Sequence, residues 1–244
     1  MMKLIAYPLT VIYFLFFGLT LVIFHPIQWL YLNVFGYQAH KKSVSILNWF
    51  LMRCLNLLGT RFSFRNPYTI PANKPLIIVT NHQSMYDIPP IIWHMRKHHP
   101  KFVSKKELGK GIPSVSFNLR HGGSALIDRK DGVQALSEIA KLGAYIENNQ
   151  RSAVIFPEGT RSRNGYPKPF KPTGLKTLLK NAPSALVVPI SINNSWKLLR
   201  YGKFPMGLNC HLTFDVHEPI PNEGSHDALI EKTEAVIKKG IVQA

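Results

Sequence analysis

Residues 80–87 read Thr-Asn-His-Gln-Ser-Met-Tyr-Asp, directly after the apolar run Leu-Ile-Ile-Val at 76–79. Such a run, bounded by turn residues, has the pattern of a buried strand. The octapeptide then supplies a histidine, a carboxylate five residues on, and a hydroxyl between them. Open α/β sheets do chemistry where a strand ends and a helix begins. A histidine beside an aspartate is a general base with an orienting group, because the carboxylate fixes the tautomer and stabilises the imidazolium. Five residues of regular helix turn through about 500°, so His82 and Asp87 would not share a helical face. They converge only if His82 lies on the loop and Asp87 in or near the first turn. The sequence permits this, since Ser84 and Asp87 have capping-box spacing and Pro89 and Pro90 are tolerated only near a helix start. On spacing alone a blander reading stays equally open: Asn81, Ser84 and Asp87 build a turn and a cap, and His82 is a loop histidine.

Downstream, short apolar runs alternate with helical patterns, which argues an α/β domain. Expected strands are 76–79, 102–104, 125–127, 153–156, 186–192 and 211–216. Expected helices are 91–98, 132–148, 173–180 and 226–239. Pro189 within the apolar strand 186–192 suggests an edge or a bulge.

Upstream, residues 4–24 are strongly apolar, carry no charge, and have about the length needed to cross a bilayer core. A cleaved leader would need a longer basic start and a small-residue cleavage site, which His25-Pro26-Ile27-Gln28 does not offer. Trp29, Tyr31, Phe35 and Tyr37 follow, aromatics that favour the headgroup region. Residues 44–59 then carry apolar side chains at helical spacing, with Gly59 as a C-cap. Residues 1–60 therefore read as membrane-anchoring helices, either with 4–24 spanning the bilayer or as a hairpin in one leaflet. Residues 61–244 read as the α/β domain. Lys41, Lys42 and Arg53 place that domain on the cytoplasmic side in both cases.

The 244 residues carry 30 lysines and arginines against 13 aspartates and glutamates, a formal net charge of +17. That balance implies polyanionic partners, whether nucleic acid, anionic lipid or phosphorylated substrates. No aromatic-interleaved nucleic-acid motif accompanies it. Cys54 and Cys210 lack metal-ligand spacing and read as reduced thiols. His94, His98 and His99 have no companion carboxylate or cysteine pattern, so no metal site is expected.

A second stretch, Phe156-Pro157-Glu158-Gly159-Thr160-Arg161-Ser162-Arg163, also follows an apolar run. Glycine lets backbone approach a ligand, and Arg161 and Arg163 can fork onto phosphate oxygens with help from the Thr160 hydroxyl. Glu158, among cations, is expected to hold an arginine or a substrate hydroxyl. A polar turn with surface arginines is the alternative. Arg129 ends the strand opened by Gly122 and Gly123, and Lys105 follows another strand.

The order His-x4-Asp, Gly-x-x-x-Ile-Asp-Arg (123–129), Phe-Pro-Glu-Gly-Thr-Arg-Ser (156–162) and Val-Pro-Ile (188–190) resembles the glycerolipid acyltransferases. The likeness is strongest to the 1-acyl-glycerol-3-phosphate (lysophosphatidic acid) acyltransferases and covers about residues 76–192. Leu126 stands where a bulkier residue is common, and residues 169–174 resemble the family's Phe-Lys-x-Gly turn with one residue inserted. The resemblance implies a mixed sheet flanked by helices, with an N-terminal membrane-binding segment. It implies transfer of a fatty acyl group from acyl-CoA or acyl-carrier protein to the sn-2 hydroxyl of 1-acyl-glycerol 3-phosphate. His82 would be the base and Asp87 its orienter. Glu158, Gly159, Thr160 and Arg161 would hold the acceptor's phosphate, with Arg129 and Lys105 in support. No cofactor beyond the acyl donor is implied. The alternatives are the same chemistry on another acceptor, such as a lyso-aminolipid, or a non-catalytic protein that binds anionic membranes. No Gly-x-Ser-x-Gly elbow is present, so direct transfer without an acyl-enzyme is expected.

Overall fold

The computed structural model describes residues 2–242. Eight strands form one sheet: β1 (Arg61–Arg65), β2 (Leu76–Thr80), β3 (Pro100–Lys105), β4 (Ala125–Ile127), β5 (Ser152–Ile155), β6 (Leu186–Asn193), β7 (His211–Val216) and β8 (Ile220–Pro221). Their order is β1-β7-β6-β2-β5-β3-β4, with β8 beside β6. All pairings are parallel except β6 with β7 and β6 with β8. The sheet is thus mixed, as expected.

The central strands are covered on both faces, which explains their unbroken apolar runs. Along β2, Leu76 and Ile78 point into one buried cluster, and Ile77 and Val79 into the other. The second cluster is closed by α4 (Gly132–Asn149), α5 (Pro172–Asn181) and α6 (His226–Lys239). The first is closed by α2 (Ile88–His94) and the N-terminal helix α1 (Met2–Asn56). A short helix, α3 (Val115–His121), lies between β3 and β4 in sequence.

Helix α1 runs as two arms, residues 2–35 and 37–56. They meet at Gly36, whose φ of 77° and ψ of −171° belong to a region that essentially only glycine adopts. Phe24 meets Phe50 at 5.6 Å between ring centroids, and the Thr20 hydroxyl lies 3.6 Å from the Cys54 thiol. Those pairings make the arms antiparallel. The first arm also lies along the sheet domain. Ala6 and Tyr13 join its core, the Met206 N–H donates to the Thr10 hydroxyl at 3.0 Å, and the Ser114 hydroxyl donates to the Leu21 carbonyl at 2.6 Å. The hairpin is therefore packed into the domain over most of its length. Its outer face keeps Leu4, Val11, Leu15, Val22 and Ile23 exposed.

Three sequence expectations change. The helix expected over 91–98 starts at Ile88, because Pro89 and Pro90 fit its first turn, and ends at His94; a separate 3₁₀ turn, Arg96–His98, follows. Strand β1, with arginines at both ends, escaped the search for apolar runs. Pro189 is not on an edge, since β6 is central, but the bulge expectation holds: the antiparallel register shifts by one residue between Val187↔Ile220 and Ile190↔Val216, so the proline faces a bulge at the seam between β7 and β8. There β7 pairs from Ile190 onward and β8 only up to Val187, so no ladder N–H is demanded of position 189. The Pro189 carbonyl accepts from the His217 N–H at 2.9 Å.

Candidate active site

The chain leaves β2 at Thr80 into a loop fixed from both sides. The Asn81 side chain donates to the Ile192 carbonyl at 2.9 Å and accepts the Ile192 N–H at 2.7 Å, pinning the loop to β6. The His82 N–H donates to Glu158 Oε1 at 2.7 Å, and the His82 carbonyl accepts the Ser162 N–H at 2.7 Å. The loop bearing His82 and the loop bearing Arg161 are thereby locked together. The imidazole stacks on Phe156, with centroids 4.1 Å apart and planes 25° apart.

His82 Nδ1 lies 2.8 Å from Asp87 Oδ2. Ser84 caps the 3₁₀ turn Met85–Asp87 through a capping box, which brings Asp87 back under the imidazole as the spacing required. Asp87 is wholly buried. Its Oδ2 also accepts the Gln83 and Ser84 N–H groups at 2.8 and 2.9 Å, and its Oδ1 accepts the Ser84 hydroxyl at 3.4 Å and the Ser195 hydroxyl. A carboxylate so surrounded by donors accepts, so the proton between it and His82 sits on Nδ1, leaving Nε2 free to act as a base.

Glu158 does not hold an arginine or present a free carboxylate. It is buried, and its two oxygens accept the backbone N–H groups of His82 and, at 2.8 Å, Lys168. Burial pushes its pKa up, and those two hydrogen bonds oppose the rise. Glu158 is a loop clamp. Gly159 adopts a φ of 70° and has the Lys171 side chain about its missing Cβ, with Nζ at 3.7 Å. The exposed Thr160 hydroxyl accepts from Lys168 Nζ at 2.8 Å.

Arg161 is exposed and close enough to Tyr86 and to Arg129 for its charge to act on both. Burial lowers the Arg129 pKa, Glu107 opposes that, and Arg161 adds to it. Lys105 stands exposed at the end of β3, in register with Ile127. The structure thus gathers His82, Asp87, Glu158, Gly159 and Thr160 into one bonded cluster and sets Arg161 and Arg129 beside it. It adds three residues that sequence reasoning missed. Lys168 and Lys171 lie in the Pro-rich stretch 167–172; Lys171 is the lysine of the Phe-Lys-x-Gly-like turn, where the sequence assigned it no role, and Lys168 stands outside every motif. Ser195 follows β6 in the turn Ser195–Leu199, 108 residues from the carboxylate it supports.

A histidine–carboxylate pair at the end of a parallel strand, with arginines and lysines around it, has the chemistry to take a proton from a hydroxyl and to accept an anion nearby. The model of the acyltransferase family matches residues 61–193, and the chain belongs to that family. Among solved structures it is similar to the 1-acyl-sn-glycerophosphate (LPA) acyltransferase of Thermotoga maritima. That likeness has a TM-score of 0.79 and 25% identity, and covers 99% of this chain and 96% of that one. Curated relatives include a human 1-acyl-sn-glycerol-3-phosphate acyltransferase beta, 27% identical over 75% of this chain and 64% of its own. Another is the 1-acyl-sn-glycerol-3-phosphate acyltransferase of Helicobacter pylori, 38% identical over 51% of this chain and 54% of its own. The matches span less than two thirds of these curated relatives' lengths.

Proposed function

We propose that the protein transfers a fatty acyl group from a thioester, acyl-CoA or acyl-carrier protein, to the sn-2 hydroxyl of 1-acyl-glycerol 3-phosphate, giving phosphatidic acid. The observation that carries the reading is the His82–Asp87 pair with its free Nε2. In the reaction, Nε2 takes the hydroxyl proton as the oxygen attacks the thioester carbonyl. Asp87 stabilises the imidazolium across the 2.8 Å hydrogen bond. The tetrahedral intermediate collapses, the carbon–sulfur bond breaks, and the departing sulfur takes the proton from Nε2. Transfer is direct, in a ternary complex. Arg161 and Arg129, with Lys168, Lys171 and Lys105, supply the charge that holds the acceptor's phosphate, and the Thr160 hydroxyl can add a hydrogen bond. The names of the Thermotoga and Helicobacter relatives support this acceptor.

The exposed apolar face of the hairpin supports a site held at a membrane surface, and Lys41, Lys42 and Arg53 favour the cytoplasmic side for the sheet domain. Because the first arm is laid along the domain, the single-leaflet arrangement is the one we favour. A bilayer then delivers a substrate whose acyl chain never has to enter water.

The test is thiol release from acyl-CoA by the purified protein in detergent. Lysophosphatidic acid, glycerol 3-phosphate and a lyso-aminolipid are offered in parallel, and the His82→Ala protein is the control. Release that needs both lysophosphatidic acid and His82 supports the proposal. Release only with another acceptor keeps the chemistry and replaces the substrate. Silence with acyl-CoA and with acyl-carrier protein leaves a membrane-binding protein. Labelled acyl-enzyme after donor alone would rule out direct transfer.

A further inference from the structure

A second group of cations lies away from the candidate active site, at the other end of the parallel strands. Lys101, near the start of β3, is only 6% exposed. It enters no ion pair among the described residues. Its Nζ lies 4.9 Å from the centre of the Tyr37 ring, over which the Arg151 guanidinium also lies, at 4.0 Å. Lys41 and Arg96 line the same narrow cleft, which opens to solvent, together with His40 and His99, and no aspartate or glutamate lines it.

The histidines do not balance these charges. Lys41 Nζ lies 2.9 Å from His99 Nε2 and can only donate, so Nε2 accepts. His99 Nδ1 then donates to the Tyr37 hydroxyl at 3.1 Å, and the ring is neutral. Burial and the charges of Lys41, Lys101 and Arg151 push the His99 pKa down to about 4. Burial, then Arg151 and Lys41, push that of Lys101 down to about 7. His40 is 1% exposed, lines the cleft, and has no hydrogen-bond partner for Nε2 among the described residues. A cleft walled by converging cations, with a buried lysine and a buried unpartnered imidazole, lacks an anion.

Its position says which anion. Tyr37, His40 and Lys41 begin the second arm of α1, immediately after the bend at Gly36. Just before the bend, Trp29, Val34 and Phe35 are 56, 61 and 63% exposed. Exposed aromatic and aliphatic side chains beside buried cations form a surface suited to the headgroup layer, where phosphate oxygens meet acyl chains. We propose that this cleft, between the bend of the N-terminal hairpin and the N-terminal ends of β3 and β5, binds the phosphate of an anionic phospholipid through Lys41, Arg96, Lys101 and Arg151. Bound there, the phosphate bridges the hairpin to the sheet domain. It is a site separate from the cluster around Arg161, and it does not depend on the acyltransferase reading.

The test uses the full chain in nanodiscs of phosphatidylcholine, with and without a fraction of phosphatidylglycerol. The readouts are the unfolding midpoint and its dependence on anionic-lipid fraction. Lys101→Met is compared with Lys180→Met, which removes an exposed charge on α5, across the sheet. The expected result is a rise in midpoint with phosphatidylglycerol for the wild type and Lys180→Met. For Lys101→Met we expect about tenfold weaker dependence on lipid fraction, the effect of losing one charge-assisted hydrogen bond. If Lys101→Met does not fold in phosphatidylcholine discs, Arg151→Gln takes its place. A midpoint rise in the cleft variant equal to that of the wild type overturns the proposal. So does an equal rise for the wild type with inorganic phosphate in neutral detergent, which would assign the cleft to free phosphate.

Discussion

Replacing Asp87 with asparagine isolates the contribution of one charge. The amide oxygen can keep the Oδ2 position, where His82 Nδ1 and two backbone N–H groups converge at 2.8–2.9 Å. The amide NH2 then faces the hydroxyls of Ser84 and Ser195, which can rotate to accept it. Shape and hydrogen-bond count survive, and the negative charge beside the forming imidazolium is lost. With charge centres about 4 Å apart and an effective dielectric constant of about 20, that charge contributes about 4 kcal/mol. Appearing only in the transition state, it corresponds to a rate loss of about a thousandfold. The assay is thiol release with lysophosphatidic acid as acceptor, measured as kcat and KM separately, with the unfolding midpoint as the control for folding. The expectation is a kcat lowered by about three powers of ten with an acceptor KM within a few-fold of wild type. A folded Asp87→Asn protein with kcat within tenfold of wild type would show that Asp87 is a cap and no more, and would remove the general-base reading.

Three further outcomes follow from the same geometry. Ser195→Ala removes a donor from Asp87 Oδ1 and should lower kcat roughly tenfold without changing acceptor KM, an effect of one hydrogen bond to a charged group, with Ser195→Thr restoring most of it. Arg161→Ala should raise the KM for lysophosphatidic acid about 10- to 100-fold and weaken the preference for a phosphate-bearing acceptor, read by competing acceptors in one assay. His99 binds fewer protons folded than unfolded between its folded pKa of about 4 and its ordinary value near 6.5. Stability from this group is therefore full above about pH 6.5 and is lost as pH falls through that window, so His99→Gln should flatten the unfolding midpoint measured from pH 7 to pH 4.5.

The parts of this molecule legible in the sequence were those whose pattern is local. The runs at 76–79 and 186–192 are apolar because both faces of β2 and β6 are covered, and the Ser84–Asp87 spacing encodes the turn that brings Asp87 to His82. The role of Glu158 was misjudged because its partners are backbone amides, which no side-chain pattern marks. Ser195, Lys168 and Lys171 were missed for a related reason, since each reaches its place through the path of the backbone. Strand β1 was missed because its ladder with β7, not a run of apolar residues, defines it. The cleft around Lys101 was invisible because its lining cations, Lys41, Arg96 and Lys101, come from three separate segments, with Arg151 of a fourth stacked on Tyr37 nearby, and only folding shows that no carboxylate comes with them.

The contact between the Thr10 hydroxyl and the Met206 amide joins residues 196 positions apart. During synthesis the first arm of α1 leaves the ribosome before most of its packing surface exists. At about 5–20 residues per second, the interval between residues 10 and 206 is roughly 10–40 s. Over that time the first arm can pack against the second, as Leu21 does on Leu47 and Leu51, but it lacks the later part of its sheet-domain surface, and the apolar face opposite stays uncovered. An uncovered apolar face on a nascent chain is prone to aggregate, and a lipid surface is one place that would cover it. If the hairpin sits at a membrane surface as proposed, that surface would be the first scaffold on which the chain is held, and the sheet domain would complete itself against a helix already moored there.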